Sequence, residues 1–256
     1  MHDKASPLRN GVIFDKDENS EKAKQASRKQ QLSTSKISNL VPNIRVLDYC
    51  VEAESNFVYG CFRSCIICSA IAVELSLKHA LIFSSEDWEE TYWEIEVKRL
   101  RFSEILNRLG KGTSRLADVL GDANWLREVR NEIVAHPLYI GSFFDMKEPG
   151  VLEWKSLERL IWASRTMLKD IKKLLRFVGP DKRKAIEEKP FRKTDAEGKI
   201  LDEFSVGDFL NLRRRVSYEE SDFMYWKVIQ NELVEEIALL AYRKMVRIIN
   251  TLFPEK

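Results

Sequence analysis

The sequence predicts an all-α fold, because apolar residues recur at helical spacing along most of the chain. Glycine and proline, which interrupt helices, number only 10 and 7 among 256 residues, and charged residues make up 32% of the chain. This composition is typical of a soluble helical protein. Nothing in the pattern suggests the alternating strands and helices of a parallel sheet. We therefore expect a helical bundle followed by a C-terminal helical extension.

Residues 1–40 are predicted to be a polar N-terminal segment without regular order, since they are rich in Lys, Gln, Ser and Asp. The alternative is a frayed helix around residues 21–31. The chain begins Met1-His2-Asp3-Lys4 and shows no secretory signal, and its four cysteines are typical of reduced thiols. These features lead us to expect a cytoplasmic protein.

The bundle is predicted to span residues 41–178. Its first helix follows Asn43, a residue type that caps helix N-termini well. The most apolar stretch covers residues 57–83, and its longest uncharged run, residues 64–73, is about half of what a membrane span requires. We therefore expect a buried core helix and no membrane association.

Four further helices are expected in the bundle. A charged amphipathic helix is predicted for residues 86–109, and a short one for residues 113–120. After a break at Gly121, Asp122 is expected to cap a helix over residues 123–135. A long amphipathic helix over residues 151–178 completes the bundle.

The end of the predicted helix 123–135 contains candidate catalytic residues. Its sequence is Arg130-Asn131-Glu132-Ile133-Val134-Ala135-His136, followed by Pro137. RNA can be cleaved when its 2′-hydroxyl attacks the neighbouring phosphate. This reaction needs a base for the hydroxyl proton, an acid for the leaving 5′-oxygen, and positive charge around the phosphate. Histidine serves as acid or base near neutral pH, and arginine offers a planar set of donors to phosphate oxygens. Asn131 is suited to orient the sugar or the histidine.

Pro137 disfavours helical geometry at His136 and so places the imidazole at the helix end, where unpaired carbonyls favour its protonated form. Within an α-helix, residues six apart lie about 120° apart around the axis and about 9 Å along it. One copy of the motif therefore forms a loose site. Two copies that meet across a two-fold axis bring both arginines and both histidines to one cleft.

The arginine–x5–histidine pattern, at the end of a helix that follows two long amphipathic helices, resembles the signature of the HEPN superfamily. The resemblance covers residues 43–178. It implies an all-helical, homodimeric, metal-independent endoribonuclease that leaves a 2′,3′-cyclic phosphate and a 5′-hydroxyl and needs no cofactor. It also implies a toxin, antiviral or RNA-processing role, and an antitoxin as one possible protein partner.

Two alternatives stay open for this motif. Arg130 and Glu132 are equally suited to be solvated helix charges, with His136 as a C-terminal cap. The chain would then be a catalytically silent HEPN-like module that binds RNA, a nucleotide or a partner protein. Glu74, which stands among apolar residues of the core helix, is either a carboxylate on the solvent side or the group that positions Arg130.

Other candidates for RNA contacts lie outside the motif. Phe143 and Phe144 would stack on a base or fold back into the core. Residues 179–200 are predicted to be a charged linker, either a solvated loop or a basic strip that faces RNA. Arg213-Arg214-Arg215 precede a long helix over residues 218–253, whose apolar stripe must bury against the bundle or against a partner chain.

The sequence argues against resident metals. Cys61, Cys65 and Cys68 have the spacing of an iron–sulfur triplet of radical SAM enzymes, but within one helix this spacing places them on a single face as buried thiols. His2, His79 and His136 are the only histidines, which leaves too few in ordered positions for a three-histidine site. The net charge is only +2, so any nucleic-acid site must be a local basic patch.

Overall fold

In a computed structural model the chain folds as an all-α protein with one small β-hairpin. The structure describes residues 18–37, 41, 43–110, 117–135, 167–194, 200–210 and 220–254. The helices are α1 (Glu18–Leu32), α2 (Ile44–Val58), α3 (Phe62–Ser84), α4 (Trp88–Glu96), α5 (Phe102–Leu109), α6 (Ala117–Arg130), α7 (residues 167–174), α8 (Pro180–Glu187), α9 (Val206–Leu210) and α10 (Glu220–Leu252). A π-helical turn (Asn131–Ala135) continues α6. The antiparallel strands β1 (Pro190–Thr194) and β2 (Ile200–Ser205) lie between α8 and α9.

The helix α3 lies at the centre of the fold and contacts α2, α4, α5, α6 and α10. Because neighbours surround it, its buried residues do not form a single stripe: Cys65, Ile66, Cys68, Ser69, Ala70, Ala72, Val73, Ser76 and Leu77. Among the described helices, α3 alone is long and apolar enough to cross a membrane, with a mean hydropathy of 1.8 over its most apolar window. Its packing between these helices agrees with the predicted core helix.

The long C-terminal helix α10 belongs to the same core as the bundle. It contacts α3, α6 and α2, and its largest buried side chains are Trp226 and Tyr242. The apolar stripe of α10 was predicted to bury against the bundle or against a partner chain. In the structure it buries against the bundle. The division into a bundle and a separate extension is not reflected in the packing, because one continuous hydrophobic core includes both.

The N-terminal segment is helical over Glu18–Leu32, so the predicted lack of order is wrong for this part and the helical alternative is confirmed. Arg28 anchors α1: its Nε lies 3.0 Å from Glu235 Oε1, and its Nη1 donates to the carbonyl of Val58. The guanidinium also lies over the ring of Phe62, and Leu32 is buried. These specific contacts hold α1 against the core, and average composition does not reveal them.

The predicted charged linker, residues 179–200, is ordered over most of its length, which corrects that prediction. Pro180 begins α8 at the first helical position, where its missing N–H costs no hydrogen bond. Lys182 Nζ lies 2.9 Å from Glu232 Oε1 on α10, and Lys189 also pairs with Glu232. These two lysines of the expected basic strip therefore share one carboxylate, which compensates one of their two charges.

The predicted helix over residues 86–109 is broken into α4 and α5 by residues 97–101. The pattern did not reveal this break because the segment is rich in helix-favouring charged residues. The break changes the direction of the chain, so that α5 packs against α6 as well as α3. Trp88 and Tyr92, two apolar positions of the predicted amphipathic helix, are 57% and 52% exposed.

The helix α6 begins at Ala117 and continues through Gly121, so the predicted break and the predicted capping role of Asp122 are both wrong. A glycine inside a helix costs about 1 kcal/mol relative to alanine. Buried neighbours on both sides, Val119 and Ala123, and the ion pairs of Asp122 with α10 offset that cost.

Two smaller predictions near these helices had different outcomes. Asn43 caps α2 as expected, with its Oδ1 accepting a hydrogen bond from the backbone N–H of Arg45. The predicted helix 151–178 lies within the described residues only from residue 167, and there it ends at residue 174.

The cysteines of α3 do not share one environment. Cys65 and Cys68 are buried, as expected for packed thiols, but Cys61 precedes the helix and is exposed. Burial raises the pKa of Cys65 to about 12 and that of Cys68 to about 11, so both stay protonated at neutral pH. Cys65 Sγ donates to the carbonyl of Ala238, whereas Cys68 Sγ donates to Glu52.

Candidate functional site

The predicted motif lies where α6 changes from an α-helix to a π-helical turn. Arg130 is the last residue of the α-helix, and Asn131–Ala135 form the turn. A π-turn contains one extra residue per hydrogen-bonded ring and occurs frequently at functional sites. The angular separation calculated for an α-helix therefore does not apply across Asn131–Ala135. Ile133 is buried, while Asn131 is exposed at the surface.

Glu74 on α3 contacts Arg130. This contact is required by the interpretation in which Glu74 positions Arg130. Arg130 Nη1 donates to Glu74 Oε2 at 2.9 Å. The other carboxylate oxygen, Oε1, lies 3.3 Å from Lys78 Nζ, one helical turn further along α3. The side chains of Glu74 and Arg130 are only 21% and 27% exposed, so the pair is partly shielded from water.

An aromatic ring also fixes the position of Arg130. The guanidinium carbon lies 5.8 Å from the ring centroid of Phe102, the first residue of α5, which is within the range of a cation–π contact. The arginine is thus held by α3 through Glu74 and by α5 through Phe102. The contact with Glu74 uses one of the five N–H groups of a guanidinium.

Arg130 lies in the wall of a cleft of about 690 Å³ between α3, α6 and the connection from α4 to α5. Its lining residues are Glu74, Lys78, Ile95, Glu96, Arg99, Leu100, Arg101, Phe102, Ser103, Arg127, Arg130 and Asn131. Five cations against two carboxylates leave an excess of three positive charges, more than the net +2 of the whole chain. The cleft is therefore a local basic patch on a chain whose net charge is nearly neutral. Its positive charge is suited to an anionic ligand.

The π-turn is held from its other side by α7. Glu132 lies 3.4 Å from Lys173 Nζ and 3.5 Å from Arg176 Nη2. Asp170 on α7 is buried, and burial raises the pKa of its carboxyl group. Glu132 therefore serves as an anchor on the face away from the cleft, while Asn131 faces the cleft.

Several predicted site residues lie outside the described part of the chain. These are His136, which follows Ala135 directly in the sequence, the pair Phe143 and Phe144, and the run Arg213-Arg214-Arg215. The structure brings together Glu74, Arg130 and Asn131.

Four cations of the cleft were missed by the sequence reasoning. Lys78 is four residues after Glu74, and Arg127 is three residues before Arg130, so helical spacing alone places each on the face of a predicted site residue. That signal was available. Arg99 and Arg101 belong to the break between α4 and α5, which sequence periodicity did not reveal.

The second histidine, His79, lies next to Lys78 on α3. Asn43 Nδ2 lies within hydrogen-bond distance of His79 Nε2, and with the amide as donor the ring proton of the neutral imidazole is on Nδ1. Burial lowers the pKa of His79, although the charge of Glu96 raises it in part. The imidazole is therefore mainly neutral at pH 7.

Within the described residues, no group of three or more His, Cys, Asp or Glu side chains is arranged to hold a metal ion. The chain matches no protein-family model, and neither the curated proteins nor the solved structures searched show significant similarity to it.

Proposed function

We propose that the chain is a HEPN-like, metal-independent endoribonuclease. It cleaves RNA by attack of the 2′-hydroxyl on the adjacent phosphate, at a site shared by two chains of a homodimer. The proposal rests on the resemblance of the Arg130–His136 motif. The cleft that contains Arg130 supports it.

The observation that carries the proposal is the setting of Arg130. Its guanidinium is held by Glu74 and Phe102 in a cleft with three excess positive charges. Preorganised positive charge of this kind stabilises charge that develops on a phosphate in the transition state. A volume of about 690 Å³ is within the usual range for small-ligand sites, and so accommodates a nucleotide of an RNA strand.

The proposed roles follow from the chemistry of each side chain. Arg130 neutralises the phosphate, His136 transfers the proton, and Asn131 orients the sugar or the histidine. Glu74 is a positioning residue, since it acts through Arg130. Phe143 and Phe144 are candidates for base stacking, and Arg213-Arg214-Arg215 are candidates for contacts with the RNA backbone.

The cellular setting is also part of the proposal. A ribonuclease of this kind would act in the cytoplasm as a toxin, an antiviral nuclease or an RNA-processing enzyme. An antitoxin that covers the cleft would need acidic groups to match its positive charge.

One observation favours a second candidate, an RNA-binding module without catalysis. Arg130 already has a partner in Glu74, and five cations would attract RNA even without a proton-transfer group. In this case the cleft would bind RNA and leave it intact. Binding and cleavage must therefore be measured separately.

The deciding experiment is a cleavage assay on end-labelled single-stranded RNA in excess EDTA. We expect the parent chain to leave 2′,3′-cyclic phosphate ends at a rate that EDTA does not change, because arginine supplies the charge that a metal would otherwise supply. His136→Ala should abolish cleavage and retain RNA binding. Binding by the parent without any cleavage would favour the silent module, and cleavage that EDTA abolishes would contradict the mechanism.

The homodimer is tested by mixing two inactive variants. Chains with Arg130→Ala and chains with His136→Ala exchange subunits and place one intact arginine and one intact histidine in a shared cleft. Partial recovery of activity supports a site in which one arginine and one histidine are sufficient for cleavage. If both histidines are required, excess variant should instead inhibit the parent chain. A monomer in light scattering that cleaves at full rate would contradict the shared site.

A further inference from the structure

The connection between α4 and α5 supplies two of the five cations of the cleft. The helix α4 ends as the N–H groups of Val97 and Lys98 both donate to the carbonyl of Trp93. The next helix starts with the backbone N–H of Arg101 donating to the carboxylate of Glu104 at 2.7 Å. Three residues of the connection, Arg99, Leu100 and Arg101, lie in the cleft wall.

Arg99 has an unusual backbone conformation. Its φ is 53°, in the left-handed region, and it is the one non-glycine residue of the described chain with a positive φ. A side chain with a Cβ is disfavoured there, and positions after a helix end with this conformation are usually occupied by Gly or Asn. The chain therefore carries an arginine where the backbone favours glycine. Such conformations occur preferentially at functional sites.

The side chains of Arg99 and Arg101 are exposed, and neither makes an ion pair or hydrogen bond with another described residue. Other cations nearby are partnered: Arg130 and Lys78 share Glu74, and Arg108 lies 2.5 Å from Glu94. An exposed arginine without a partner is common on protein surfaces. Here two such arginines border one cleft that already has an excess of positive charge.

We infer that Arg99 and Arg101 bind the backbone phosphates of the RNA strand that occupies this cleft. The inference rests on the proposed function, because it takes RNA as the ligand. The planar guanidinium is well matched to phosphate oxygens. The two arginines lie on the α4–α5 wall, whereas Arg127 and Arg130 lie on the α6 wall. They are positioning residues, which hold the strand across the cleft while Arg130 faces the reacting phosphate.

Two substitutions remove these charges without a cost to the backbone. Arg99→Gly places the favoured residue at the positive φ. Arg101→Ser places a favoured N-cap residue before α5 and keeps the backbone N–H that Glu104 accepts, completing a Ser-x-x-Glu capping box. Both variants should be at least as stable as the parent in thermal unfolding. If either arginine had a purely structural role, its substitution should instead lower the thermal stability.

The probe is a single-stranded 2′-O-methyl RNA, which the proposed chemistry cannot cleave. We expect each substitution to raise its Kd about threefold to fivefold, the size of an exposed ionic contact. The plot of log K against log salt should flatten by about 0.7 for each phosphate of a single strand that the variant no longer neutralises. With cleavable RNA, KM should rise in parallel, and kcat at saturation should change much less than KM.

A matched control is Lys29→Gln on α1, which removes one exposed positive charge far from the cleft. Arg28, its neighbour, contacts Phe62 at the start of α3, and Lys78 of the cleft lies 16 residues later, about 24 Å along that helix. This control should leave Kd and salt slope unchanged.

The outcomes separate this inference from the proposed function. If the parent binds and cleaves RNA but Arg99→Gly and Arg101→Ser behave like Lys29→Gln, the inference fails and the nuclease stands. If the parent binds the probe without cleaving RNA, and the variants weaken binding, the inference stands and the nuclease fails. If the parent does not bind the 2′-O-methyl RNA, the inference is overturned, and the proposed nuclease fails as well only if unmodified RNA is left uncleaved.

Discussion

Two positions on α6 are held by ion pairs, with opposite charge balance. In the first half of the helix, Asp122 is a single carboxylate with two cations from α10, Lys244 and Arg247, the second at 3.1 Å. At its last residue, Arg130 is a cation held by Glu74 of α3 at 2.9 Å. Only 12% of the Asp122 side chain is exposed, whereas Arg130 borders an open cleft.

The two positions differ in how far neighbouring side chains compensate their charges. At Asp122 the charges are shielded and close together, and Lys244 also lies 5.2 Å from the Trp125 ring centroid. Such a group ties α6 to α10. At Arg130 the cations that line the cleft outnumber its carboxylates, so the lining keeps an excess of positive charge. An ion pair alone does not indicate a site; the uncompensated excess around it does.

The largest expected effect comes from removing an arginine from each of the two ion-pair groups. Arg130→Ala should lower the cleavage rate by about 100-fold or more, the usual effect of losing a group that stabilises transition-state charge. Arg247→Ala removes an arginine of the other ion pair and should leave the rate per folded molecule unchanged. Single-turnover cleavage at saturating RNA measures both. Equal losses in the two variants would remove the distinction between the two groups.

The next effect is on stability. Asp122→Ala should lower the free energy of unfolding by about 2 kcal/mol, less than for a fully buried pair because Lys244 and Arg247 remain partly exposed. The RNA cleavage rate per folded molecule should not change. Urea unfolding followed by circular dichroism gives the first quantity. A variant that is as stable as the parent would show that Asp122 does not tie α6 to α10.

Glu74→Gln should change binding and catalysis in opposite directions. Without the carboxylate the cleft becomes more positive, so RNA should bind about twofold more tightly, while the loss of alignment of Arg130 should lower kcat about tenfold. Glu74→Asp should recover part of kcat. A purely structural carboxylate would lower stability and move neither Kd nor kcat in this pattern.

The smallest effect concerns pH. Burial lowers the pKa of His79 in the folded state from its ordinary value of 6.5, so the unfolded chain binds the proton more readily. Stability from this group is therefore present above pH 6.5 and is lost as pH falls through the lower folded pKa. Protonation also places a donor against the Asn43 amide.

Urea unfolding between pH 8 and pH 5 should show a smaller decline for His79→Gln than for the parent. The comparison isolates His79, since the other titrating groups are common to both chains. Parallel pH curves for the two proteins would mean that the imidazole titrates as it does in the unfolded chain.

Local sequence patterns were sufficient to predict the helices that bury a continuous run of apolar side chains. The helices α2 and α10, the core helix α3 and the Asn43 cap follow from spacing and from residue type within a few positions. The contact between Glu74 and Arg130 was also within reach as one of two interpretations. A carboxylate in an apolar helix requires a partner, and the motif offered an arginine.

Elements that depend on distant partners could not be read in this way. Asp122 was expected to start a helix because Gly121-Asp122 is a common break. Its ion pair with Lys244 lies 122 positions away in sequence and is invisible to a local pattern. The order of α8 likewise depends on Glu232 of α10, and the order of α1 depends on Glu235.

The sequence by itself determined the helical class, the core helix and the composition of the motif at the end of α6, because helical periodicity and side-chain chemistry act over a few residues. Only the tertiary structure decided that the chain turns at Arg99, that α6 passes through Gly121, and that five cations meet in one cleft. These features arise from packing between helices that are distant in sequence. The energy of such packing depends on which surfaces meet, and no single segment contains that information.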